Sequence, residues 1–250
     1  EGVSYIVMEF LPGRDLAALL ENEGKLDPRR AANLIMQCAE ALSAAHRAGV
    51  LHRDLKPANI FVIEDDGHER VKIIDFGIAK DRSSNPRTAD LTSASRVVGT
   101  PYYMSPEQAR SLELDGRADV YSLGVILFEL LTGTRPFEGS SVLDILMAHS
   151  TAPRVRPSSV RPELASEVAL EDAVIKSIQA WTESRFVDMS TFATALAVYL
   201  SPSSVTAAAG MAAGQPAGED RRDEADEADR AADRDAGADA EGGEADDLEA

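Results

Sequence analysis

Two short polar loops, separated by a strand-turn-strand pattern, fix the centre of this chain. Ile60 to Ile63 and Val71 to Ile74 are apolar runs on either side of Asp65-Asp66-Gly67, a strong turn signal. Residues 60–74 therefore predict a β-hairpin. A hairpin folds back on itself, so the loop that enters it lies beside the loop that leaves it. The entering loop reads His52-Arg53-Asp54-Leu55-Lys56-Pro57-Ala58-Asn59, and the leaving one Asp75-Phe76-Gly77. The pattern predicts one locus with a candidate base (Asp54), a point charge (Lys56) and a hard-cation site (Asn59 with Asp75).

These groups suit phosphoryl transfer, where a protein positions the nucleophile and neutralises charge. Asp54 would orient the attacking hydroxyl and accept its proton, and Lys56 would sit beside the transferring group. Oxygen ligands from Asn59 and Asp75 fit Mg2+, which keeps waters and takes only one or two carboxylates.

The eight-residue loop, with Asp-Phe-Gly sixteen residues beyond its Asn, resembles the eukaryotic-type protein kinases. An ordinary hairpin with polar turns explains neither the residue identities nor their order. Further residues follow the family's sequence. Gly99-Thr100-Pro101-Tyr102-Tyr103 and Ser105-Pro106-Glu107 resemble the end of an activation segment, with Ser in place of the commoner Ala. Asp119 opens a hydrophobic helix like the central helix of the kinase C-lobe. The resemblance implies that Asp119 accepts hydrogen bonds from the catalytic-loop backbone. It also implies a buried Glu107–Arg185 pair, although the usual Pro is absent from Trp181-Thr182-Glu183-Ser184. His52, Phe76, Gly77 and Thr100 take structural roles in the family.

Lys56-Pro57 resembles serine/threonine rather than tyrosine kinases, and the wording Gly-Thr-Pro-Tyr-Tyr-Met-Ser-Pro-Glu-Gln-Ala resembles bacterial members. Arg53 before Asp54 implies an activation segment ordered by phosphorylation, because a guanidinium there gains from a doubly charged phosphate. Thr92, Ser93 and Ser95 are the candidate acceptors, against the plainer reading of a Ser/Thr-rich loop.

The resemblance covers residues 1 to about 200 and implies a mainly α (α+β) fold. Its parts are a kinase-like C-terminal lobe, a hairpin at the active site and a preceding hinge strand. Residues 1–13 read as hinge strand and linker, 14–200 as the C-lobe, and 201–250 as an acidic tail. Backbone groups of Glu9 to Leu11 would bind adenine, Asp15 would approach the ribose, and Phe61 would form part of the adenine floor. A glycine-rich loop, a strand lysine and its glutamate partner, which complete a kinase, are not found. An incomplete sequence is the expectation, with negligible activity for these residues alone. The implied function is transfer of the ATP γ-phosphoryl group to Ser/Thr of proteins, with ATP and Mg2+. The alternative is a non-catalytic, pseudokinase-like scaffold using the helical lobe and acidic tail.

Charge is spread unevenly along the 250 residues, whose formal net charge is −18. Residues 201–250 hold 15 Asp/Glu and 4 Arg with no aromatic residue, too little apolar surface to offset the entropy of ordering. The remainder, with 28 acidic and 21 basic residues, is only mildly acidic, and no nucleic-acid partner is expected. A single cysteine, Cys38, excludes a disulfide framework and fits a reducing cytoplasm. It shares helical spacing with Leu34, Ile35 and Leu42, as a core residue would. No secretory signal opens the sequence, and the longest apolar run, Val120 to Leu131, is too short for a bilayer.

Asp27-Pro28 predicts the start of a long helix closing at Gly49. Further helical patterns fall at about 106–111, 117–132, 141–149, 165–180 and 189–200, and Tyr5 to Phe10 reads as a short strand. His46 is expected in the core, His68 and His149 in solvent, and Trp181 in packing.

Overall fold

The computed structural model describes residue 7, residues 9–76 and residues 101–202. Gly77, Thr92, Ser93, Ser95, Thr100 and the acidic tail past Pro202 lie outside the described residues. The strands β1 (Gly13–Asp15), β2 (Ile60–Asp65) and β3 (His68–Ile73) form one antiparallel sheet in the order β1-β2-β3. β2 and β3 pair from Ile60↔Ile73 to Asp65↔His68, leaving Asp66-Gly67 as a two-residue turn. Both turn residues have positive φ, 50° and 75°, as a tight hairpin requires to match strand twist. The hairpin read from the sequence is present.

Of the run expected as a strand, Tyr5 to Phe10, only Val7, Glu9 and Phe10 lie among the described residues. Val7, Glu9 and Phe10 are irregular, and Val7 and Phe10 are exposed. A short strand absent from the sequence reading, β1, pairs with β2, with Gly13 opposite Ile63 and Asp15 opposite Phe61. Pairing partners decide this: the β2 edge is offered to residues 13–15. Gly13 lets the backbones approach, since a Cβ there would collide with the Val62 carbonyl.

All but one of the described helices begin where a side chain satisfies the first amides. Asp15 Oδ1 accepts from Ala18 N at 2.8 Å and starts α1 (Leu16–Glu23). Asp27 Oδ1 accepts from Arg29 N and Arg30 N at 3.0 and 3.1 Å and starts α2 (Pro28–Arg47). Gly49, at φ 77°, ends that helical path two residues later. The further helices are α3 (Pro106–Ala109), α4 (Gly116–Thr132), α5 (Val142–Thr151), α6 (Val168–Ser177) and α7 (Met189–Leu200). Only α6 is much shorter than its pattern. A separate tight turn, Pro162–Ser166, precedes it, and Glu167 at its start makes no side-chain cap.

α4 is buried on nearly every face, which explains its unbroken apolar run. At Gly124 a Cβ would overlap the Ser177 side chain, so α4 and α6 cross in close contact there. Leu34, Ile35, Cys38 and Leu42 of α2 join the same core, where each fully buried Leu or Ile contributes about 1.5–3 kcal/mol. Two expectations are corrected. His149 is fully buried rather than solvated, because neighbouring aromatic rings enclose it, and Trp181 is 64% exposed rather than packed. Among the described residues no helix is long and apolar enough to cross a membrane.

Candidate active site

One buried carboxylate shapes the loop ahead of the hairpin. Asp119, in the first turn of α4, is 2% exposed. Its Oδ2 accepts from His52 N at 2.8 Å and lies 2.8 Å from His46 Nε2, while Oδ1 accepts from Arg53 N at 2.9 Å. Arg53 has φ 63°, a left-handed conformation that costs a side-chain-bearing residue about 1–3 kcal/mol. Charge-assisted bonds to Asp119 offset that cost. Gln108 Nε2 donates to the Arg53 carbonyl at 2.9 Å, tying α3 to the same residue.

Held this way, the loop gathers the predicted functional side chains. Lys56 Nζ lies 3.2 Å from Asp54 Oδ2. Asn59 is 4% exposed and donates from Nδ2 to the Asp54 carbonyl at 2.9 Å. This bond sets the amide's orientation and leaves its oxygen, the only acceptor of the side chain, for another partner. The Asn59 carbonyl accepts from Ile74 N at 3.0 Å, so the hairpin closes with Asn59 beside the residue preceding Asp75. Asp75 itself has φ 55°. The His52 ring stands between the two loops, with Nε2 3.0 Å from the Ile74 carbonyl and its centroid 4.8 Å from that of Phe76.

Among the described residues no group of three or more His, Cys, Asp or Glu could hold a metal by itself. One carboxamide oxygen and one carboxylate nevertheless fit Mg2+, which takes its remaining ligands from waters and phosphate.

Glu9, Leu11 and Phe61 line a cleft of about 640 Å3 together with Phe10, Lys72, Ile73 and Ile74. Ile73 and Ile74 lead directly into Asp75, so this mostly apolar cleft adjoins the polar locus. Lys72 Nζ reaches Glu9 Oε1 at 2.6 Å. Asp15 is absent from the cleft's lining; its side chain caps α1.

The remaining predicted partner also forms. Arg185 Nη1 and Nη2 bind Glu107 Oε1 and Oε2 at 2.7 and 2.8 Å, a bidentate pair 4% and 7% exposed. The same guanidinium donates to the carbonyls of Arg117, Gln179 and Ala180. No Pro in residues 181–184 is required for that geometry.

Sequence reading missed Gln108, Lys72 and the His46–Asp119 contact. Gln108 alone left a signal, since Ser105-x-x-Gln108 has capping-box spacing and forms that box.

Comparison with known proteins identifies the family. The family model described as "Protein kinase domain" matches residues 1–186. Serine/threonine-protein kinase pkn3 of Myxococcus xanthus is 43% identical over 180 residues, 71% of this chain and 33% of that protein. Serine/threonine-protein kinase PknB of Mycobacterium tuberculosis is 38% identical over 182 residues, 73% of this chain and 28% of its own length. The chain thus spans about a third or less of these relatives. The crystal structure of the Mycobacterium tuberculosis PknI kinase domain superposes with a TM-score of 0.58 at 26% identity, covering 77% of this chain and 64% of that one. A strained Arg-Asp loop held by a buried Asp, a hairpin leading into Asp-Phe, and a match over most of the sequence lead to one conclusion: the chain belongs to the protein kinase family.

Proposed function

We propose that the protein is a serine/threonine kinase that transfers the ATP γ-phosphoryl group to protein hydroxyls. One observation carries this reading: Asp54, Lys56 and Asn59 are joined by hydrogen bonds at the hairpin's entrance, beside the backbone of Ile74 and hence Asp75. The Asp54 carboxylate accepts the substrate hydroxyl's proton as its oxygen attacks phosphorus. Lys56 balances negative charge at that point, and its 3.2 Å contact keeps it close to Asp54. Asn59 and Asp75 hold Mg2+, which supplies neutralisation of phosphate charge when bound. The cleft at Glu9, Leu11 and Phe61 takes the adenine, whose flat apolar faces suit Phe61 and Ile73. Lys56-Pro57 and the serine/threonine kinases among the relatives support hydroxyl side chains of Ser and Thr as acceptors. Thr92, Ser93 and Ser95 are proposed as phosphorylation sites, with a cytoplasmic setting in keeping with the lone buried Cys38.

The test is phosphotransfer to a Ser/Thr peptide by the protein at the full length its relatives have. Asp54→Ala is expected to lower kcat by about 10²–10⁴-fold. Turnover equal to wild type would refute the role of Asp54. Residues 1–250 assayed alone are expected to give negligible turnover, since they carry no glycine-rich loop over the triphosphate.

A further inference from the structure

Among the described residues, Lys72 is the one cation lining the apolar cleft, and the proposed chemistry gives it no role. It lies on β3 directly opposite Phe61 of β2. Residues paired across two strands point to the same face of a sheet, so the Lys72 side chain leaves the sheet beside that of Phe61. Its Nζ donates to Glu9 Oε1 at 2.6 Å.

Glu9 belongs to a segment that reaches the sheet from its other edge. β1 pairs with the edge of β2 that faces away from β3. The chain entering β1 turns sharply, with Gly13 N donating to the Leu11 carbonyl at 3.0 Å. The Glu9–Lys72 pair therefore links the segment that enters β1 to β3, with Phe61 on the strand between them. Little else holds that segment. Glu9 and Phe10 form no backbone hydrogen bond with another described residue, and Phe10 is 85% exposed. Among the described residues Glu9 is the sole ion-pair partner of Lys72, and Lys72 of Glu9.

We propose that Lys72 is a positioning residue: its ion pair with Glu9 clamps residues 9–11 over the hairpin and so preforms the cleft wall that receives the adenine. Ordering a loose segment at the moment of binding costs affinity, and a wall already in place avoids that cost. The assignment of the wall to adenine rests on the kinase reading; the clamp does not. The two side chains are 45% and 68% open to water, so the clamp acts by position and adds little to the stability of the fold.

Two readouts separate the clamp from its ligand. The first needs no ligand and uses residues 1–250. Amide exchange at Gly13 reports the segment, and Leu26, whose N–H bonds the Leu130 carbonyl at 2.8 Å, is the control. Lys72→Met should speed Gly13 exchange about two- to fivefold, the scale of an exposed ion pair, and leave Leu26 unchanged. The second uses the protein at the full length of its relatives, with adenosine as the probe because it carries adenine and no phosphate charge. Lys72→Met should weaken adenosine and ATP by the same factor, about two- to fivefold. Exchanging the charges, with Glu9→Lys and Lys72→Glu together, should restore both affinity and protection. At about 1 M ionic strength, where the screening length is about 3 Å, wild type and Lys72→Met should bind adenosine alike.

Unchanged Gly13 exchange in Lys72→Met overturns the clamp. Faster Gly13 exchange with unchanged adenosine affinity overturns its part in binding. A loss of affinity for ATP alone does the same, since it puts Lys72 at the phosphates. If the wild type binds no adenosine, the adenine reading of the cleft fails, and Gly13 exchange alone decides the clamp.

Discussion

Asp119 and Glu107 are both buried carboxylates, yet the regions around them are held together differently. Asp119 faces two backbone N–H groups and the His46 ring. It fixes the dihedral angles of a loop, including the left-handed Arg53, and thereby places Asp54. Glu107 faces a guanidinium whose other donors satisfy three carbonyls, so it joins α3 to the segment after α6. The first arrangement sets a conformation and the second closes an interface. Removing a charge from each should therefore have separable consequences, one chiefly in the site and one chiefly in global stability.

The largest effect is expected at the interface. Arg185→Met leaves Glu107 buried without its counterion and should cost about 3–5 kcal/mol in urea unfolding, with the whole lobe affected. A loss below about 1 kcal/mol would erase the contrast between the two regions.

Asp119→Asn tests the other side. An amide presents at most one acceptor to the two loop N–H groups and aims its own N–H₂ at one of them, a mismatch of about 1–3 kcal/mol. Hydrogen exchange at His52 and Arg53 should accelerate before the core helices open. Uniform acceleration across α2 and α4 would show that Asp119 acts on the whole lobe instead.

Gln108 gives the smallest and most discriminating change, because it touches both regions. Its side chain caps Ser105 next to Glu107 and donates to the Arg53 carbonyl. Gln108→Ala should cost about 0.5–1.5 kcal/mol, with faster exchange at Ser105 and no change at the Arg185 interface. Coupling of this loss to Arg185→Met in a double-mutant cycle would show that the regions are one unit.

Much of this was readable in advance because the signals are local. The hairpin depends on Asp66-Gly67 accepting positive φ, and α2 on Asp27-Pro28 at its start, so a few adjacent residues suffice. The closeness of Asn59 to Ile74, the residue before Asp75, followed from chain reversal at that turn. What stayed hidden depends on partners far along the chain. β1 was not foreseen because the partner of Gly13, Ile63, lies 50 residues away. The burial of His149 depends on Tyr121 and Phe137, which periodicity along α5 does not reveal. The exposure of Trp181 is equally a matter of what packs nearby.

The amino-acid order alone determined which chemical groups are present, where helices and the hairpin begin, and that two polar loops must meet. Tertiary structure decided the backbone strain at Arg53 and Asp75, the burial of His149, and which edge β2 offers to β1. The reason lies in range: caps, turns and periodicity act over a few residues, whereas burial and the partnering of a buried polar group depend on every element that closes around it.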